Sequence, residues 1–231
     1  MTRVFLILAA VTLMLCAGAL TGCASSPAPK TAGSTAVGYY PQNPSNTRKP
    51  QMTPIPRVSG FDYDTRGLEL PDRAAFLQKD KRWASDRLGN TASDTMGSDG
   101  CLVTASAMAL KNLGFQTDPG DLNKRLTAAD SFTPRGWLIW SGISKVTGGK
   151  ARARFYTEVN EGIINGCLRD GFYPMARFIL PNGRTHWAVI VKRDPRGYYM
   201  RDPLQPSRSP LLFPRGAEAF KAVRCIGLSE T

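Results

Sequence analysis

Gly100-Cys101-Leu102-Val103-Thr104-Ala105-Ser106-Ala107-Met108-Ala109-Leu110-Lys111-Asn112-Leu113-Gly114 is the stretch on which the reading of this chain turns. From Cys101 to Leu113 it is apolar almost all round, broken only by Thr104, Ser106, Lys111 and Asn112, and Gly114 follows as a C-terminal stop. A helix with apolar residues on every side belongs inside a domain, and a glycine just past the last helical residue is a common cap. The stretch predicts a buried central helix whose first turn carries a cysteine.

The flanking sequence supplies the rest of the domain. Asp118-Pro119 opens a second, short helix; residues 135–146 read as a third; Asn160 to Asp170, closed by Gly171, reads as a fourth. Two strand-like runs, Tyr173 to Leu180 and His186 to Lys192, flank the turn signal Pro181-Asn182-Gly183, and Tyr198 to Asp202 follows Asp194-Pro195-Arg196-Gly197. Helices first and antiparallel strands afterwards predict an α+β domain with segregated layers. Cys101 then stands at the N-terminus of a helix packed on the sheet. His186 begins one strand and Asp202 ends its neighbour, and across an antiparallel pair those two ends are adjacent.

The chemistry of these three residue types fits together. His186 is the single histidine of the chain, so a base for a thiol can be sought nowhere else. Only the thiolate attacks a carbonyl, and an adjacent imidazolium or a helix N-terminus favours it; Cys101 is placed to have both. The imidazole carries the proton to the leaving amine, while a carboxylate on its other nitrogen fixes the tautomer. Asp202 suits that role, and Asp194 in the preceding turn competes for it. The plainer readings are a small buried hydrophobe at Cys101, a hydrogen-bonded strand histidine at His186, and an Asp202 that caps a turn before Pro203.

The N-terminus points to export. Arg3 precedes an apolar run from Val4 to Leu20, interrupted only by Thr12, the profile of a signal peptide. The run is short for a membrane span, which needs about 20 residues, and it ends in Leu20-Thr21-Gly22-Cys23 without a basic cluster. Those four residues resemble a bacterial lipobox, which implies removal of residues 1–22 and lipidation (diacylglycerol, with an acyl chain such as palmitate on the new amine) at Cys23. Ala24-Ser25 resembles the sorting signal of lipoproteins facing the periplasm from an outer membrane, if the host is Gram-negative. Residues 23–60, with proline at 27, 29, 41, 44, 50, 54 and 56, read as a disordered tether, leaving 61–231 as one domain.

Composition excludes several classes. One histidine and no Cys-x-x-Cys pair leave a zinc site without ligands, and no cofactor or metal is expected. The net charge of +12 suits association with anionic envelope polymers or lipid. Nucleic acid is not expected as a partner outside the cytoplasm, and no aromatic-basic recognition motif occurs. Most of Trp83, Trp137, Trp140 and Trp187 are read as core packing, with the lining of a substrate cleft as the alternative.

Four motifs then converge: Gln78-Lys79-Asp80-Lys81-Arg82-Trp83, Gly100-Cys101-Leu102-Val103-Thr104, His186-Trp187-Ala188-Val189 and Tyr198-Tyr199-Met200-Arg201-Asp202-Pro203. In this order they resemble the family-39-like cysteine peptidases, papain-like relatives of the double-glycine bacteriocin-processing peptidases. The resemblance spans roughly Ala75 to Phe213. It implies a papain-like fold, a nucleophile at Cys101, a base at His186, an orienting carboxylate at Asp202, and an oxyanion hole formed by Gln78 with a backbone N–H. Leu102-Val103 replaces the Gly-Pro often found after the nucleophile. No transporter or ATP-binding motif accompanies the domain, so the substrate of the exporter-linked members is not implied.

The resulting expectation is a lipid-anchored envelope cysteine peptidase acting on a peptide or protein substrate through a thioester. Two other readings use the same residues: a catalytically silent peptide-binding domain, and an acyl transferase of the phytochelatin-synthase-like or transglutaminase-like type. With Cys16 removed, Cys23 lipidated and Cys101 free, Cys167 and Cys225 remain. They form either a disulfide or a pair of buried thiols.

Overall fold

The computed structural model describes residues 68–230, so the signal segment, Cys23 and the whole tether lie outside the described residues. Helix α1 (Met96–Asp99) opens with a reciprocal cap. The Thr95 side chain accepts from the Ser98 N–H, and Ser98 Oγ accepts from the Thr95 N–H. Gly100 then breaks the path before α2 (Cys101–Asn112), the central helix, whose residues Val103 to Leu110 are all buried. Asp118 caps α3 (Pro119–Ala128) by accepting from the Asp121 N–H, with Pro119 in the first helical position, where its missing donor costs nothing. Helix α4 (Ser141–Val146) is a short turn and a half. Asn160 caps α5 (Glu161–Arg169) through the Ile163 N–H, and Gly171 at φ +75° ends the element.

Six antiparallel strands form one sheet: β1 (Ala151–Phe155), β2 (Tyr173–Ile179), β3 (Thr185–Asp194), β4 (Gly197–Arg201), β5 (Leu211–Phe213) and β6 (Ala222–Leu228). Their spatial order is β1-β6-β2-β3-β4-β5, so the last strand in sequence is inserted between β1 and β2. Side chains alternate between faces, and the two sets pack into separate cores. Tyr173, Met175, Val189, Val191 and Ile226 join α2, α3 and α4 on one side. Ala176, Phe178, Ala188, Ile190, Val223 and Cys225 join α5 on the other. The β2–β3 hairpin turns at 181–183, where Gly183 sits at φ +79°, and the Leu180 N–H donates to the Arg184 carbonyl at 2.9 Å.

This is the expected mixture of helices and antiparallel sheet, with differences in detail. Residues 135–140 are not helical. Pro134 and Gly136 at φ +74° bend the chain into a tight turn closed by the Thr133 N–H on the Trp137 carbonyl, and only Ser141–Val146 continues as helix. Strand β1 precedes α5, so the strands do not all follow the helices. Because α5 covers the face opposite α2, helices flank both sides of the sheet. Strands β1, β5 and β6 were not among the three strands expected.

Candidate active site

Gly100 explains how Cys101 comes to stand where α2 begins. A Cβ at position 100 would lie 2.4 Å from the Met96 carbonyl oxygen and 2.9 Å from its sulfur, so only glycine allows α1 to fold back against the first turn of α2. Cys101 is the free cysteine among the described residues and is half-buried. It opens the helix whose first N–H groups have no partner within the helix.

The base arm comes from the sheet. Val189 pairs with Arg201 in the β3–β4 ladder, which carries Asp202, the next residue, alongside the start of β3. His186 Nε2 lies 2.7 Å from Asp202 Oδ1, with both residues buried. The carboxylate is itself held: the Leu204 N–H donates to Oδ1 at 2.8 Å and Gln205 Nε2 to Oδ2 at 3.4 Å. Nε2 being taken, Nδ1 is the ring nitrogen left for the Cys101 thiol, which acts with Asp202 to raise the pKa of the ring. Burial works against the charged imidazole, but the hydrogen bonds to Asp202 and Cys101 and their charges outweigh it. The pKa rises from 6.5 to about 9. Phe178, the cross-strand partner of His186, closes the other side with its ring edge-on at 5.3 Å.

Asp194, the competing carboxylate, sits at the far end of β3. Hydrogen bonds from the Arg196 side chain, with lesser help from Tyr199, hold its carboxyl down at about 2. It takes no part in the constellation.

Gln78 is not a solvated surface residue. It is 2% exposed, and Nε2 donates to the Gly97 carbonyl at 3.0 Å while its backbone N–H donates to the Pro203 carbonyl at 2.8 Å. Because a carbonyl only accepts, Gly97 fixes the amide with its nitrogen toward α1. The Oε1 atom is buried and has no partner among the described residues. The neighbouring Trp83 secures this segment, its indole N–H donating to the Leu77 carbonyl at 2.9 Å. Gln78 thus touches both α1, which leads through Gly100 into Cys101, and the segment that carries Asp202.

Three contributors went unnoticed in the sequence. Gln205 steadies Asp202. Arg184 at the hairpin tip donates to the Ser98 carbonyl at 3.2 Å and reaches Asp99 at 3.4 Å, joining the base arm to the turn before Cys101. Phe178 was countable: stepping outward from Asn182 at the centre of the turn, four residues each way reach Phe178 and His186. Cys167 of α5 and Cys225 of β6 are disulfide-bonded, with Cα atoms 6.2 Å apart.

No protein-family model matches the chain, and no curated protein matches it. Among solved structures, the chain is similar to a Bacillus anthracis protein provisionally assigned as a C39-like peptidase. The sequence identity is 15% and the TM-score 0.45, over 71% of this chain and 98% of that one.

Proposed function

We propose that the chain is a cysteine peptidase, held to a bacterial envelope by lipid on Cys23, that cleaves an amide through a thioester at Cys101. The observation that carries this reading is the imidazole of His186, bonded through Nε2 to Asp202, with Asp202 and the Cys101 thiol together raising its pKa to about 9. At neutral pH such a ring is charged, and an imidazolium beside a sulfur favours the thiolate.

The steps follow from that arrangement. The Cys101 sulfur adds to the substrate carbonyl, and the oxygen takes up negative charge. The second Nε2 hydrogen of Gln78, beyond the one used by Gly97, and the N–H of Cys101 are the donors suited to that oxyanion. His186 passes its proton from Nδ1 to the departing amine, which leaves as the C–N bond breaks and the thioester remains. Neutral His186 then takes a proton from water, the hydroxide displaces the sulfur, and the acid product leaves with the proton returned to the ring. Asp202 keeps the ring oriented and stabilises its charged form throughout.

Incubating the full-length, detergent-solubilised protein with envelope extract and identifying released peptides by mass spectrometry tests the activity. Peptides that appear with wild type and not with Cys101→Ala are the expected result, and identical peptide profiles from the two proteins would sink the reading. For the anchor, metabolic fatty-acid labelling should mark wild type and not Cys23→Ser.

A further inference from the structure

The arginines of the sheet mostly hold carboxylates: Arg152 binds Glu230, Arg154 Asp170, Arg193 Glu161 and Arg201 Asp72. Arg177 of β2 holds none among the described residues. One of its terminal nitrogens donates to the Lys221 carbonyl at 3.3 Å, and its guanidinium lies 5.9 Å from the centre of the Trp187 ring. Its Nε is buried without an acceptor. The other terminal nitrogen of Arg177 has no hydrogen-bond partner among the described residues, so the outer N–H edge of the guanidinium is free to donate to an incoming carboxylate.

The position of Arg177 gives that vacancy meaning. In the β2–β3 ladder Arg177 pairs with Trp187, one step along from the Phe178–His186 pair and on the opposite face, the one against which α2 and its Cys101 pack. Trp187 continues into an aromatic row: its ring meets Trp140 at 5.8 Å, and Trp140 meets Phe155, 58% exposed, at 6.2 Å. A ring beneath a guanidinium holds its plane and leaves the N–H edge free for a bidentate contact.

We propose that Arg177, backed by Trp187 and Trp140, is a specificity subsite for an acidic residue of the substrate. The inference rests on the peptidase reading and names the class of peptide it acts on: acidic segments. The chain's net charge of +12 favours their approach. A neutral peptide laid along the same row would cover Arg177 and leave its nitrogen without an acceptor.

The test uses the detergent-solubilised full chain and peptides matched except for Glu, Gln or Lys at each of three positions on either side of the cleaved bond. At one position Glu should raise kcat/KM about tenfold over Gln. Arg177→Glu should remove that preference and favour Lys, while Arg177→Lys keeps part of it. The rate of iodoacetamide labelling at Cys101 should be unchanged in both, which shows an intact site. If Arg177→Glu does not fold, loss of the preference in wild type at high salt and its weakening in Arg177→Lys carry the test. No charge preference at any position, or a preference that survives Arg177→Glu, overturns the subsite. Failure of the peptidase reading looks different: no peptide is cut and Cys101 labels no faster than a model thiol. In that case tryptophan-fluorescence titration decides, and equal binding of Glu and Gln peptides overturns the subsite.

Discussion

The backbone N–H of Gln78 donates to the carbonyl of Pro203, the residue that follows Asp202, at 2.8 Å. Its side-chain nitrogen reaches the Gly97 carbonyl, four residues before Cys101. One buried glutamine therefore spans the two halves of the constellation, and its amide orientation is set by an acceptor that cannot be reversed. Its position is tied to the spacing between nucleophile arm and base arm, which makes Gln78 informative to mutate.

Gln78→Ala should lower kcat by about 10²–10³ with little change in KM if the amide binds the oxyanion. Gln78→Glu keeps the shape but replaces the donor with a charge, and it should be at least as slow. Steady-state kinetics on both variants, with thermal unfolding to show that each is folded, checks the point. A kcat within threefold of wild type in both would limit Gln78 to a structural tie.

Cys101 should be the thiol that iodoacetamide modifies in native protein near neutral pH, since Cys167 and Cys225 are both buried and bonded to one another. Cys101→Ala and His186→Ala should each abolish nearly all turnover, and the double variant should be no slower than either, because the members of a catalytic unit fail together. Peptide mapping by mass spectrometry locates the label.

The pH dependence follows from His186. Its pKa is raised to about 9 in the folded protein, so the charged ring needed to protonate the leaving amine persists through neutral pH and is lost as pH rises through about 9. The alkaline limb of kcat/KM should fall there. Asp202→Asn removes the charge and weakens the hydrogen bond that do most to raise the value, and should move the limb to lower pH. The same shift contributes stability that is complete below about 6.5 and disappears as pH climbs through about 9, visible in denaturant midpoints measured across that range.

Loss of the disulfide should destabilise without erasing the fold's design. Cys167 and Cys225 are 58 residues apart, and closing a loop of that size stabilises by about 4 kcal/mol in the chain-entropy model. The double variant Cys167→Ala/Cys225→Ala should lose stability of that order in urea unfolding, and alkylation of denatured, unreduced protein should find neither thiol free.

What the sequence reveals here is what is local. Helix α2 announces itself through a surface apolar almost all round, α3 and α5 through Asp118 and Asn160 at their caps, and the hairpin through Pro181-Asn182-Gly183. Residues 135–140 depart from the expected helix because the backbone demands of Pro134 and Gly136 decide the turn there. Strand β6 is obscure because it is stabilised by partners at β1 and β2, far back in the chain, rather than by any flanking turn. The burial of Gln78 is of the same kind: Lys79 to Arg82 look solvated, and the acceptors at Gly97 and Pro203 are remote in sequence.

The bond between Cys167 and Cys225 closes a covalent ring through β2, β3, β4, β5 and β6. His186 and Asp202 lie within that ring, while Cys101 and Gln78 lie outside it. The molecule is thus divided topologically between a looped half that manages protons and an open half that makes the covalent bond to substrate. A protease nick within residues 168–224 would leave the fragments tethered, whereas a nick between Gln78 and Cys101 would sever the glutamine from the thiol, so damage at equal depth would carry unequal consequences.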